Sequence, residues 1–154
     1  MINYDLMFMR EALKEARAAL EQDEVPVGAV ITCDHEIIAR AHNQVEMLKD
    51  PTAHAEILAI TQAASALKSK WLLGCRIYVT LEPCSMCAGA LVLARVKTVV
   101  FGASDPKTGA CGSVLQIVSH PDLNHRVAVE SGLLSDECGA LLSGFFLRKR
   151  VSGN

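Results

Sequence analysis

Two short segments of the chain carry residue types able to hold a metal: His54-Ala55-Glu56 and Pro83-Cys84-Ser85-Met86-Cys87. One imidazole and two thiolates form a three-ligand set typical of Zn²⁺, which takes four neighbours in a tetrahedron. Three protein ligands leave the fourth place open to water, and metal binding lowers the pKa of that water from ~15.7 to ~7. Glu56 stands too near His54 in sequence to share a helix face with it. Its expected role is therefore to carry protons beside the metal, not to serve as a fourth ligand. Both segments lie at predicted helix starts, where the partial positive charge of the helix favours thiolate over thiol.

Each piece taken alone has a plainer reading. A single His at a helix start is commonly a hydrogen-bonded structural residue. A C-x-x-C pair near a strand–helix junction fits a thioredoxin-like redox pair or half of a zinc ribbon. A ribbon requires a second C-x-x-C, which the sequence lacks. A redox pair has no use for the H-x-E segment upstream. Cys33, Cys75, Cys111 and Cys138 are scattered and read as small apolar filler.

The elements that must position these residues follow from periodicity and breakers. Leu6, Met9, Leu13, Ala16 and Leu20 recur at helical spacing, giving an amphipathic first helix that stops before Val25-Pro26. Val25 to Thr32 and Glu36 to Ala41 read as a hairpin around Asp34-His35. Gln44 to Thr52 is expected to be polar loop, with Thr52 or Asp50 capping a helix from about Ala53 to Leu67. Arg76 to Leu81 is a strand, and Pro83 opens a helix to about Ala94. Lys97 to Phe101 is a strand, Gly102 to Gly112 a loop, Arg126 to Val129 a last strand or helix edge, and Ser135 to Arg150 a closing helix. Alternation of strands and helices implies crossover units and a sheet covered on both faces, an α/β three-layer sandwich.

Composition bounds the function classes. The chain has 154 residues, 51% of them hydrophobic and 21% charged, which suits one domain spanning 1–154 and excludes disorder. The longest stretch without charge, Thr108 to Pro121, contains Gly, Ser, His and Pro, so no membrane helix is expected. The N-terminal segment is interrupted by Asp5, Glu11 and Glu15 and does not read as a signal peptide, so the cysteines are expected to be reduced thiols in a cytoplasmic protein. A net charge of −2 argues against a general polyanion binder. That sum hides an asymmetry: residues 1–56 carry 11 acids and 5 bases, residues 57–154 carry 6 acids and 10 bases. Arg148, Lys149 and Arg150 form a basic run near the end. It reads either as a solvated helix end that complements the helix dipole or as a patch that meets phosphate.

Taken jointly, the two metal-binding segments match the H-x-E…P-C-x-x-C signature of zinc nucleoside and nucleobase deaminases. The resemblance extends over almost the whole chain. Val25-Pro26-Val27-Gly28-Ala29-Val30, Asp50 through Glu56, Tyr78 through Cys84, Val99 through Ala103, Asp105 with Lys107-Thr108-Gly109-Ala110, His120-Pro121 with Asn124 to Val127, and Asp136-Glu137-Cys138 with Leu141, Leu142, Phe145 and Phe146 all fit. The chain therefore resembles bacterial tRNA-specific adenosine deaminases of the TadA type.

That resemblance implies a cytidine-deaminase-like fold with a central mixed sheet, one Zn²⁺ per subunit on His54, Cys84 and Cys87, and Glu56 as proton carrier. It also implies hydrolysis of adenosine to inosine at the wobble position of a tRNA anticodon. Asn43 resembles the residue that holds the flipped base, with the Ala55 N–H and the Pro83–Cys84 segment lining the same pocket. Asp105 resembles a ribose contact and Lys107 a residue near the RNA backbone. His120, Asn124 and the tail Arg148, Lys149 and Arg150 would touch the anticodon stem-loop. Ser104 departs from the pattern, since a basic residue is common there, and the basic tail differs slightly. Two rivals remain: a deaminase of free guanine or cytidine on the same site, and a zinc-stabilised RNA-binding scaffold with no catalysis. The resemblance implies a homodimer, and a mean hydropathy of +0.26 agrees with apolar surface to cover.

Overall fold

The computed structural model describes residues 1–153. Helix α1 (Tyr4–Glu21) is followed by strands β1 (Gly28–Cys33) and β2 (Glu36–His42), a short helix α2 (Val45–Leu48) and helix α3 (Ala55–Leu67). Strand β3 (Arg76–Leu81), helix α4 (Ser85–Leu93), strands β4 (Thr98–Ala103) and β5 (Ala128–Ser131), and helix α5 (Ser135–Val151) complete the order. The five strands form one mixed sheet in the order β2-β1-β3-β4-β5. β1 runs antiparallel to β2 and β3, while β3, β4 and β5 are mutually parallel.

Side-chain alternation along the strands creates the layers. Ala29 and Ile31 of β1, Ile77 and Val79 of β3, and Val99 and Phe101 of β4 share one core with Ala55, Ala59 and Ala63 of α3 and Ala88 and Leu91 of α4. Their neighbours Val30, Tyr78 and Val100 point the other way, against Phe8, Met9, Ala12 and Leu13 of α1 and Cys138 of α5. Helices therefore cover both faces, the α/β/α sandwich that the alternation predicts. Small residues set the spacing. A Cβ on Gly28 would run into the Ala12 carbonyl and the Ala16 N–H of α1, so only glycine lets that helix lie so close to the sheet.

Several boundaries differ from the sequence expectation for identifiable reasons. β1 begins at Gly28 and not Val25, because Pro26 has no N–H to donate and the Val25 carbonyl turns back to the Val27 N–H at 2.8 Å. The β1–β2 turn falls at Asp34-His35 as expected, both with positive φ, the backbone of a tight two-residue hairpin. α3 begins at Ala55 with His54 as its N-cap, so neither Thr52 nor Asp50 caps it. The Asp50 carboxylate instead accepts from the Thr52 N–H and hydroxyl, folding a turn ahead of the helix. The expected loop from Gln44 to Thr52 contains α2, whose first N–H groups, those of Glu46 and Met47, donate to the buried Glu24 carboxylate. β4 and β5 are joined without a helix, by the irregular segment 104–127. All six cysteines are free thiols. No described helix is long and apolar enough to cross a membrane.

Candidate active site

The N-termini of α3 and α4 converge, and their N-cap residues are two of the three candidate metal ligands. His54 caps α3 and Cys84 caps α4, each in extended backbone and neither side chain spent on a capping hydrogen bond. Cys87 lies in the first turn of α4 and is fully buried. The His54 Nδ1 is 3.6 Å from the Cys84 Sγ and 3.5 Å from the Cys87 Sγ. Zn–N near 2.05 Å and Zn–S near 2.3 Å in a tetrahedron imply an N···S edge of about 3.6 Å. The donor set and its spacing thus fit Zn²⁺, and no other group of three such ligands occurs among the described residues.

Electrostatics favour the ligating form at Cys84, while His54 and Cys87 must each release a proton when a metal binds. Hydrogen bonds from Cys87 and His54 hold the Cys84 thiol down at about 4, and its thiolate raises the His54 imidazole above the ordinary value. Cys87, hydrogen-bonded to Cys84 and buried, is pushed up because the neighbouring thiolate takes the first ionisation. Glu56 is only 4% exposed, and burial pushes its carboxyl up to about 7. A cation bound beside it would draw that value back down.

The cluster lies in a cleft of about 910 Å³. One wall is the turn after α1 (Gln22, Asp23, Glu24, Val25), with Asn43 and Pro51 beside it; the opposite wall is Leu142, Phe145, Phe146 and Lys149 of α5. Leu81, Glu82, Asp105 and Thr108 supply a third side. The cleft is acidic, and Lys149 is the only lysine or arginine lining it. That lysine is paired with Asp23 across the mouth at 2.5 Å.

Of the residues singled out from the sequence, the cleft brings together His54, Glu56, Cys84, Asn43, Asp105 and Lys149. Ala55 and Pro83 are buried just behind the lining: the Ala55 N–H donates to Asn43 Oδ1 at 2.8 Å, and the Pro83 carbonyl accepts from Ala110. Lys107, His120, Asn124, Arg148 and Arg150 are exposed and line no part of the cleft. The sequence reading missed Glu82 and Glu24, both buried carboxylates that fold loops around the cleft. Glu82 accepts from the backbone N–H groups of Asp105, Cys111 and Ser113 and from the Ser113 hydroxyl. Burial alone would raise its carboxyl, but these donors together hold it below the ordinary value. The available signal was an acidic residue directly between the end of β3 and Pro83-Cys84.

Three side chains able to hold a metal, with an adjacent buried carboxyl, in a cleft lined by aromatic side chains, are the equipment of a metal-assisted hydrolase. The MafB19-like deaminase family matches residues 3–150. The tRNA-specific adenosine deaminase of Bacillus subtilis is 52% identical over 95% of this chain and 92% of that protein. That of Aquifex aeolicus is 54% identical over 93% and 94%. A solved structure from work on A-to-I editing by tRNA:A34 deaminases superposes with a TM-score of 0.85 at 48% identity, covering 88% of this chain and 99% of the other. A guanine deaminase from Nitrosomonas europaea superposes at 0.75 with 27% identity, covering 91% and 83%. The chain belongs to the deaminase family, among the tRNA-specific adenosine deaminases, and is a hydrolytic enzyme.

Proposed function

We propose that this chain deaminates adenosine to inosine at position 34, the wobble position, of a tRNA anticodon, as one catalytic domain. The observation that carries the reading is the buried Glu56 carboxyl beside the His54, Cys84 and Cys87 cluster, at the floor of a cleft with room for a base. Zn²⁺ held by those three ligands would supply Lewis-acid activation of the hydrolytic water. Glu56 carries a proton from that water to the exocyclic nitrogen; the C6–O bond forms, the C6–N bond breaks and ammonia leaves. Asn43 holds the base, and Asp105 meets the ribose. The acidic lining supports a division of labour: an uncharged base enters, and phosphates stay at the rim with Lys107, His120, Asn124, Arg148 and Arg150. An unpaired loop base suits this arrangement because little stacking must be broken to extrude it. The cysteine-rich site is consistent with a cytoplasmic location, and the exposed Leu93, Met47 and Leu48 are consistent with a homodimer.

Likeness to the tRNA-specific relatives at 52–54% identity, against 27% for the guanine deaminase, favours the polymeric substrate over a free base. Turnover on an anticodon stem-loop bearing adenosine at position 34, compared with free adenosine, guanine and cytidine, tests the reading. Inosine formed in the stem-loop alone is the expected result; comparable turnover of guanine or cytidine would overturn it. Light scattering at micromolar concentration should give the mass of two chains.

A further inference from the structure

We propose that Glu82 is a positioning residue for the reaction: its carboxylate shapes the 104–113 loop so that Asp105 and Thr108 form the substrate-facing side of the cleft. The inference rests on the proposed role of Asp105 as a ribose contact and adds what holds that contact in place. Glu82 is 2% exposed, at the junction between the end of β3 and Pro83-Cys84. Its Oε1 accepts from the Asp105 N–H at 3.0 Å and from the Ser113 hydroxyl. Its Oε2 accepts from the N–H groups of Cys111 at 3.0 Å and Ser113 at 3.1 Å. The loop therefore wraps a single anion with donors from both of its ends.

Two further contacts close the arrangement. The Ala110 N–H reaches the Pro83 carbonyl at 2.9 Å, and the Glu82 N–H reaches the Ala103 carbonyl at 2.8 Å. Gly109 lies flat on the carboxyl group, where any Cβ would collide with it. The same residue that sets the loop thus directly precedes the Pro83-Cys84 turn, so ribose wall and metal ligand share one anchor. Asp105 then uses its own carboxylate to accept from the N–H groups of Lys107 and Thr108 and from the Thr108 hydroxyl, which fixes its direction only if the loop itself is fixed.

The chemistry makes a selective probe available. In Glu82→Gln the amide oxygen can satisfy Cys111 and Ser113, and the Ser113 hydroxyl can turn to accept. The Asp105 N–H then faces an NH₂ group and has no acceptor. Zinc content, amide hydrogen exchange over 104–113, and kcat and KM on the stem-loop are to be measured for Glu82→Gln, Gly109→Ala, Asp105→Ala and the Glu82→Gln/Asp105→Ala double variant. The expected result for Glu82→Gln is wild-type zinc, exchange at Asp105 faster by about tenfold or more, and a raised KM with a smaller change in kcat. Gly109→Ala, which pushes the loop off from the other side, should reproduce that split. Asp105→Ala should cost much less in the Glu82→Gln background than alone. Unchanged exchange or unchanged KM in Glu82→Gln, or fully additive effects in the double variant, would overturn the proposal. An inert Asp105→Ala beside a defective, loosened Glu82→Gln would overturn the Asp105 contact alone and leave Glu82 as the anchor of the loop.

Discussion

The side-chain oxygen of Asn43 accepts the backbone N–H of Ala55 at 2.8 Å, tying the residue after β2 to the first turn of α3, between His54 and Glu56. Both partners are buried, so the bond shares its fate with the site. Asn43→Ala leaves the Ala55 N–H without an acceptor, at a cost of about 1–3 kcal/mol. Urea unfolding should show that loss, with turnover falling as well. Asn43→Asp retains the acceptor and should recover most of the stability; if it also recovers full turnover, the amide group has no part in holding the base.

Glu56 is proposed to move protons, and its conservative amide keeps its shape without that ability. Glu56→Gln should keep metal stoichiometry and lose about 10²- to 10⁴-fold in kcat. Metal analysis beside single-turnover kinetics reads both quantities. Near-native turnover with metal retained would remove Glu56 from the mechanism.

Lys149 already has an anionic partner before any RNA arrives. Its pairing with Asp23 is largely exposed on the Asp23 side, so the bond adds no more than ~1 kcal/mol to stability. Asp23→Asn frees the lysine and removes an acid from the cleft mouth. The stem-loop should bind severalfold tighter at low salt, with the gain shrinking as salt is added. Fluorescence anisotropy across a salt series checks this, and weaker binding by the variant would place Lys149 outside the RNA path.

Gly28 marks the tightest approach of α1 to the sheet. Gly28→Ala forces a Cβ against the helix backbone, which cannot retreat as a flexible side chain would. The expected destabilisation is about 1–3 kcal/mol or more, seen as a lower midpoint in denaturant. A variant as stable as the parent would show that α1 can slide outward at no cost.

Tyr78 reports on the opposite face. Burial, with a hydrogen bond to Asp5 at 2.5 Å, pushes its phenol up to about 12 from the usual 10. The unfolded chain therefore loses this proton first as the pH rises, so stability falls from pH 10 and the contribution is gone near pH 12. In a Tyr4→Phe variant, which leaves one tyrosine, ultraviolet titration should place the phenol near 12 while the protein stays folded. Ionisation near 10 in the folded state would contradict it.

The sequence carried the chemistry more clearly than the cleft. His54, Glu56, Cys84 and Cys87 could be singled out as candidates because ligand type and spacing are local properties, and the structure gathers them at one cleft. The hairpin at Asp34-His35 and the strand Arg76–Leu81 were legible for the same reason. The start of α3 was misplaced because Asp50 and Thr52 satisfy each other, and that choice shows only in their hydrogen bonds. α2 stayed hidden because its donors are met by Glu24, which is remote in the chain. Phe145 and Phe146 were visible as family residues, but their position opposite Asp23 depends on how α5 packs on β3 and β4. Tertiary acceptors and walls of this kind leave no local periodicity to read.

The clasp between Asp23 and Lys149 has a consequence for biosynthesis. The candidate ligands His54, Cys84 and Cys87, with Glu56, are all translated before β4, β5 and α5. A nascent or truncated chain can therefore carry complete ligand chemistry with one side of its cleft missing. Leu142, Phe145, Phe146 and Lys149 are translated last, so the candidate ligand residues are complete in the chain before the wall that faces them.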